Sequence, residues 1–356
     1  MKGMSEAYTK NSRPQGNVAK TLFARIEENV LPHLLIDCNK LFTILEYGAG
    51  PGTSSEFVLK PLLQSIHQKQ HEQRVMVFFE DLPSNPWGQV FENVPATLSD
   101  SGIDMNKLHL AGIGKSFYES LLPPDSVDFV YSSTAMHWLP SEEYNALPVS
   151  YRHRQIFATP DLMSDEDHKT ATHFARTQWA KCFRHRAEEL KSGGYLALAM
   201  PADRKNNDDT LAPQFSESFP FDSVPEEFHD RLVSPAWGMS SETVDVFFNS
   251  PSQENNELDM SQLFEVVVSE QIAPGCPFTA LFGDNLEAKA SAVFAALLAV
   301  VGPYIRSVLS SKLSSEEIDK VFEEWKNNWE SLCNNLEDPS KLKMDVVSHC
   351  VILKRK

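Results

Sequence analysis

The chain has 356 residues, 42% of them hydrophobic, a net charge of −17 and a pI near 5.1. That is enough apolar material for one large α/β domain or two small ones, and an acidic surface repels phosphate backbones, which disfavours a nucleic-acid substrate. Five scattered cysteines with no C-x-x-C pair point to free thiols in a reducing, cytoplasmic compartment, and the sequence predicts neither a signal core nor a bilayer-length apolar run, so no membrane partner is expected.

Residues 1–16 are polar, and Val18, Leu22, Ile26, Val30 and Leu34 then fall on one face of a helix predicted over 17–36. Leu41 to Tyr47 reads as a short buried strand that breaks into a glycine turn. Glu46 stands at the strand's end, and Gly48, Gly50 and Gly52 follow at alternating positions. Glycine takes positive φ and admits a ligand where a Cβ would collide. Dinucleotide folds use G-x-G-x-x-G to seat a pyrophosphate on a helix dipole. The G-x-G-x-G found here, after an acidic residue, suits a ligand without phosphates, such as S-adenosylmethionine (SAM). An ordinary tight strand–helix turn is the plainer alternative.

A helix is predicted over Ser54 to His71, where His67 and His71 have metal-ligand spacing but no adjoining carboxylate, so a solvated face is the better reading. Val75 to Phe79 is a second strand. The acidic Glu80-Asp81 after it is placed to hold a ribose diol, because a carboxylate accepts from both hydroxyls. Residues 84–106 read as mixed loop and short helix, Leu108 to Ala111 as a third strand and Val127 to Ser132 as a fourth. The fourth runs into Ser133-Thr134-Ala135-Met136-His137-Trp138, at the sheet edge where ligands bind. A His-Trp pair there orients a substrate or, equally, is core.

Residues 141–169 read as a cap loop, and a helix over Lys169 to Lys191 ends at a glycine cap signal, Gly193-Gly194. Tyr195 to Met200 is a fifth strand, Leu263 to Ile272 a sixth, 286–335 two helices with Ser314 or Ser315 capping the second, and Val346 to Lys354 a last strand. Strands separated by helices predict a doubly wound α/β sheet. The expected core is 37–140, 170–205, 260–274 and 344–356, with a helical cap from 141–169, 206–259 and 275–340.

Several segments together resemble the SABATH methyltransferases, which methylate small carboxylic acids or xanthines. AYTKNSRPQ is similar to that family's SYAxNSxxQ, EYGAGPGT to DLGCSSGPNT, FEDLPSN to FxNDLPxN, GIGKSFYESLLP to GVPGSFYxRLFP, and SSTAMHWL to SSYSLHWL. The resemblance covers nearly the whole chain in order. It implies a class I SAM-methyltransferase fold, a Rossmann-like seven-stranded sheet whose last strand runs antiparallel, with a helical cap. It implies SAM as cofactor and a small carboxylic acid as substrate. Residues 1–16 would fold over the site as a lid, and the chain would form a homodimer. By the same resemblance Tyr8, Ser12, Asp81, Leu82, Ser116 and Phe117 match cofactor-binding positions; Glu46, Gly48 and Gly50 of the glycine turn and Ser132 at the end of the fourth strand complete the candidate cofactor site. Gln15 and Trp138 match a pair of carboxylate-holding donors, with Thr134 and His137 beside them and Ala290 and Val293 as the far wall.

The chain also departs from the family. Its glycine turn is two residues shorter, Gly52 replaces a cofactor-binding Asn, and Thr134 replaces a common Tyr. Arg152 and the altered surroundings of Asp245 remove a proposed metal set, so no metal is expected. Two alternatives stay open: methylation of a neutral small molecule at N or O, and SAM binding without catalysis.

Overall fold

A computed structural model describes residues 12–147, 150–158, 163–202, 212–249, 257–336, 338, 342 and 344–356. Tyr8 and most of the expected lid lie outside the described residues. Seven strands form one sheet: β1 (Phe42–Tyr47), β2 (Val75–Asp81), β3 (Leu108–Gly114), β4 (Val127–Ser133), β5 (Leu190–Pro201), β6 (Phe264–Ile272) and β7 (Ser348–Arg355). Their order is β3-β2-β1-β4-β5-β7-β6. The first five strands pair in parallel, while β7 runs antiparallel between β5 and β6, as expected. Every residue of β1 is buried, because helices cover both faces of a parallel sheet and its central strands lose the alternating pattern.

The principal helices are α1 (Arg13–Asn29), α2 (Leu59–Lys69), α3 (Trp87–Leu98), α4 (Asp165–Glu189), α5 (Leu286–Leu309) and α6 (Ser315–Asn334). Helices α1, α2 and α3 pack on one face of the sheet through Leu22, Leu62 and Val94, and α4 packs on the other through Trp179 and Phe183. A third cluster joins α5 and α6 around Phe215, Trp325 and Trp329 and forms the cap.

Several boundaries differ from expectation. Helix α1 starts at Arg13, four residues early, because Pro14 fits a first helical turn, where no backbone N–H is needed. In 84–106, read as mixed loop and short helix, helix α3 takes up twelve residues and accommodates Pro95 in its interior. Helix α4 starts at Asp165, capped by Ser164, and ends at Glu189. Gly193 and Gly194 therefore lie inside β5 and do not cap the helix; Gly193 takes φ 79°, next to the register shift between β4 and β5. Residues 206–259 are expected in the cap, but Trp237, Phe247 and Leu258 of that segment join the core under α4. His67 and His71 contact each other at 3.0 Å on an exposed face.

Helix α5 corrects the expectation that no apolar run reaches bilayer length. It is long and apolar enough to cross a membrane by length and composition, and 56% of its most apolar stretch is buried against the rest of the chain.

Candidate active site

The carboxyl ends of β1, β2 and β4 open on one side of the sheet, and the glycine turn sits across them. Gly48, Gly50 and Gly52 all take positive φ. At Gly48 a Cβ would stand 2.2 Å from the Cβ of Ala135, so only glycine lets the turn pass under the segment after β4. Gly52 faces away from the sheet edge: a Cβ there would meet Val94 Cγ2 at 2.9 Å. Where the family carries a ligand-touching Asn, this chain packs its turn onto α3.

The end of β2 holds the turn in place. The Gly48 amide donates to Glu80 Oε2 at 3.2 Å, the Ala49 amide to the Glu80 carbonyl at 3.0 Å, and the Gly50 amide to Asp81 Oδ2 at 2.8 Å. Asn85 Nδ2 donates to the Gly50 carbonyl at 2.7 Å, and Asn93 Nδ2 to that of Pro51 at 2.8 Å. Asp81 Oδ1 also accepts from the Leu82 amide at 2.7 Å. Burial raises the Asp81 carboxyl above its usual range, opposed by the Gly50 and Leu82 amides. Burial, with Asp81 alongside, pushes Glu80 well above it. Glu46 lies beneath the turn, accepting from the Ser54 hydroxyl and, at 2.5 Å, from the Tyr131 hydroxyl. Burial pushes it up to about 7.

Three hollows adjoin. A cavity of about 230 Å³ is lined by Gly48, Asp81, Leu82, Ser116, Phe117 and Ser133, among others. A second, of about 110 Å³, is lined by Gln15, Thr134, His137 and Trp138, with Trp237 and Leu297. A small cleft between α1 and the turn is lined by Ser12, Gln15, Gly48 and Ser54. Thr134 borders all three, and Trp138 borders both cavities. Thr134 takes φ 56°, an outlier for a β-branched residue, held by its amide on the Ala199 carbonyl at 2.7 Å and its hydroxyl on the Ser133 carbonyl at 2.8 Å.

The loop carrying Ser116 and Phe117 is fastened from below by a buried ion pair. Arg186 donates to the Phe117 carbonyl at 3.3 Å, to the Glu119 carbonyl at 2.9 Å and to Glu189 at 2.8 Å. Glu189 Oε1 accepts from the Leu121 amide at 2.6 Å and the Leu122 amide at 3.2 Å. Trp138 is fixed by its backbone: Tyr118 Oη donates to its carbonyl at 2.9 Å, and it pairs with Ala236 in an antiparallel bridge. The indoles of Trp179, Trp325 and Trp329 donate to carbonyls, whereas that of Trp138 makes no hydrogen bond among the described residues.

The structure thus brings Ser12, Gln15, Gly48, Asp81, Leu82, Ser116, Phe117, Thr134, His137 and Trp138 around one connected space. Other candidates fall elsewhere. Glu46 supports the turn from inside the core, and the Gly50 backbone is bonded to Asp81 and Asn85. Ser132 faces inward and donates to the Tyr47 carbonyl at 3.3 Å, while its neighbour Ser133 borders the cavity, because successive strand residues point to opposite faces. Ala290 and Val293 are buried within the cap, where Trp329 donates to the Ala290 carbonyl at 2.9 Å. The wall is built further along α5, by Leu297 and Val300.

A carboxylate beside apolar Leu82 and Phe117 fits a nucleoside: the acid takes a diol and the apolar groups cover a base. Two buried polar atoms without a hydrogen-bond partner, Gln15 Oε1 and Ser133 Oγ, border the cleft and call for a polar ligand end. A family model described as SAM dependent carboxyl methyltransferase matches residues 1–356. The chain belongs to that family. Curated relatives include indole-3-acetate O-methyltransferase 1 of Oryza sativa subsp. japonica, 26% identical over 219 residues covering 54% of this chain and 53% of the relative. Loganic acid O-methyltransferase of Catharanthus roseus is 26% identical over 55% of this chain and 54% of its own. The chain spans about half the length of these relatives. A solved loganic acid methyltransferase with SAH superposes with a TM-score of 0.73 at 19% identity, covering 100% of this chain and 98% of that one, which establishes the family's fold here.

Sequence reasoning missed Ser133, Trp237, Leu297 and Val300 among the lining residues. The first is adjacent to residues it named, and Glu80, which it grouped with Asp81 at the end of the second strand, also lines the larger cavity. The others lie on segments whose apolar pattern does not distinguish a cavity wall from a core.

Proposed function

We propose that this member of the family transfers a methyl group from SAM to the carboxylate of a small organic acid, giving a methyl ester. The observation that carries the reading is the junction at Thr134 and Trp138. There the cavity suited to a nucleoside opens onto a second one whose described lining has no Lys, Arg, Asp or Glu. Bound SAM supplies a methyl group already activated by its sulfonium, so an attacking carboxylate requires no base. A carboxylic acid, with a reference pKa of about 4, is already ionised at neutral pH. Gln15 and the Trp138 indole N–H hold its oxygens as neutral donors. A cationic clamp would bind the acid more strongly but lower the reactivity of the oxygen that must attack. The enclosed apolar walls exclude water from that oxygen, and a fixed approach is worth about 7–11 kcal/mol in well-oriented reactions. Asp81 takes the ribose diol, and Phe117 and Leu82 cover the adenine.

The relatives support this reading by their names, as do the free thiols for a cytoplasmic setting. A second reading rests on His137, which lines the same cavity and is the nearest group able to serve as a base for a neutral nucleophile. A 3,7-dimethylxanthine N-methyltransferase of Coffea arabica is among the relatives, 22% identical over 63% of each chain. Incubation with methyl-labelled SAM and a panel of carboxylic acids tests both. The first reading expects extractable label that mild base releases as methanol. Label stable to base, on a neutral acceptor, would replace it with the second.

A further inference from the structure

We infer that the acid this enzyme takes carries a second hydrogen-bonding group at the end remote from its carboxylate, received by the hydroxyl of Ser234. The inference rests on the carboxylate reading above. Ser234 is fully buried and lines the second cavity, and its Oγ has no hydrogen-bond partner. Its backbone is engaged: the amide donates to the Ile156 carbonyl at 2.8 Å and the carbonyl accepts from the Ala236 amide at 2.8 Å. Only the side chain is left over. A buried hydroxyl without a partner carries a desolvation cost that a well-packed wall would avoid with alanine, so the atom calls for a partner from the cavity.

The position follows from the topology. Residues shared with the neighbouring hollows, Gln15, Thr134 and Trp138, mark the reacting end of the cavity. Ser234 borders none of those hollows and stands beside Phe157 and Ala158, which also line this cavity alone. Trp138 bridges Ala236, and Ser234 lies two residues before Ala236 across a tight turn closed by the Ala236 amide on the Ser234 carbonyl, so the two residues line one cavity at different points of its wall. An aryl ring or a short chain is the spacer proposed between a carboxylate at Trp138 and a hydroxyl, carbonyl or N–H at Ser234. A serine hydroxyl both donates and accepts, and the described lining holds no Lys, Arg, Asp or Glu to balance a charge, so the distal group is polar and uncharged.

Matched acids test this by binding, without turnover. 4-Hydroxyphenylacetic acid is compared with 4-methylphenylacetic acid, and 3-(4-hydroxyphenyl)propanoic acid with its 4-methyl counterpart, each titrated calorimetrically into the SAH-loaded protein. A site built to bond a substrate hydroxyl discriminates far more strongly than an apolar wall, so the hydroxylated member of at least one pair should bind about tenfold more tightly or better. Ser234→Ala should weaken the hydroxylated acid and strengthen the methylated one until the pair binds nearly equally. Ser234→Thr, which keeps the hydroxyl, should retain the preference. Binding without a hydroxyl preference, or a preference that survives in a folded Ser234→Ala, overturns the assignment of Ser234 and leaves the carboxylate reading standing. Failure of all four acids to bind overturns both.

Discussion

Replacing Glu46 with glutamine should reshape the pH dependence of stability. Glu46 is buried under the glycine turn, bonded by the Ser54 and Tyr131 hydroxyls, with the Asp81 carboxylate adding to the upward pressure on its own carboxyl. Burial raises that carboxyl from an ordinary value of 4.5 to about 7, against the pull of the two hydroxyls. The folded state therefore holds this proton more tightly than the unfolded chain does. The resulting stabilisation is fully present below about pH 4.5 and is lost as pH rises through about 7. A span of about 2.5 pH units corresponds to about 3 kcal/mol, lost at roughly 1.4 kcal/mol per pH unit in between. Unfolding entropy near 2.1 cal/mol/K per residue over 356 residues converts that to about 4 °C in Tm. The Glu46→Gln side chain would keep an acceptor for Tyr131 and cannot ionise. Thermal melts of both proteins from pH 5 to pH 8.5 cancel every other titrating group, and because about 2.5 kcal/mol of the loss falls in that window the variant should gain on the wild type by about 3 °C across it. A constant difference, or one that moves the other way, would refute the burial argument.

Asp81→Asn should weaken SAH binding at least about tenfold in calorimetry, because an amide group cannot accept from both ribose hydroxyls, each hydrogen bond being worth about 1.5–3 kcal/mol to a charged acceptor; losing one of the bonds from the Gly50 and Leu82 amides should in addition lower Tm. Arg186→Met should cost about 3–5 kcal/mol in chemical denaturation, since it leaves Glu189 charged and unpaired in a site where both side chains are almost wholly buried. Trp138→Phe and Gln15→Ala should each lower kcat/KM on an accepted acid while leaving Tm and SAH affinity nearly unchanged, and the double variant should be non-additive because both donors serve one group; full activity in Gln15→Ala would remove it from the clamp.

The sheet was legible because its central strands are buried on both faces: the mostly apolar runs around Ile44, Val77 and Val130 read as strands without further help. A short helix was expected within 84–106, and the full length of α3 was obscured by Pro95, a residue that ordinarily ends helices. In the candidate site, residues at the carboxyl ends of strands were found with an error of one position, as with Ser132 for Ser133, because a strand's pleat turns the next side chain to the opposite face. The far wall was missed for a different reason. Helix α5 is apolar around most of its circumference, so its period does not say which turn meets the cavity, and only its packing on α6 separates Ala290 from Leu297. Ser234 lies in a segment without period, and nothing in the sequence marks its hydroxyl as unpartnered.

The short glycine turn shows how a lost contact can be replaced without restoring the residue. The turn is placed from outside, by β2 and the segment after it: Glu80 holds Gly48, Asp81 holds Gly50, and Asn85 and Asn93 hold the carbonyls of Gly50 and Pro51. The neighbouring carboxyls stand on one short stretch of backbone, where two negative charges would repel each other in a buried setting. Their upward shifts resolve that conflict in unequal measure. Glu80, the more deeply buried, is pushed well above its ordinary range by burial, with Asp81 alongside adding to the effect. Asp81 faces the larger cavity and receives two backbone amides that favour its charged form. The two acids that close β2 thus hold the turn through its amides and both border the larger cavity, so the turn and the ligand are positioned by the same short stretch of backbone.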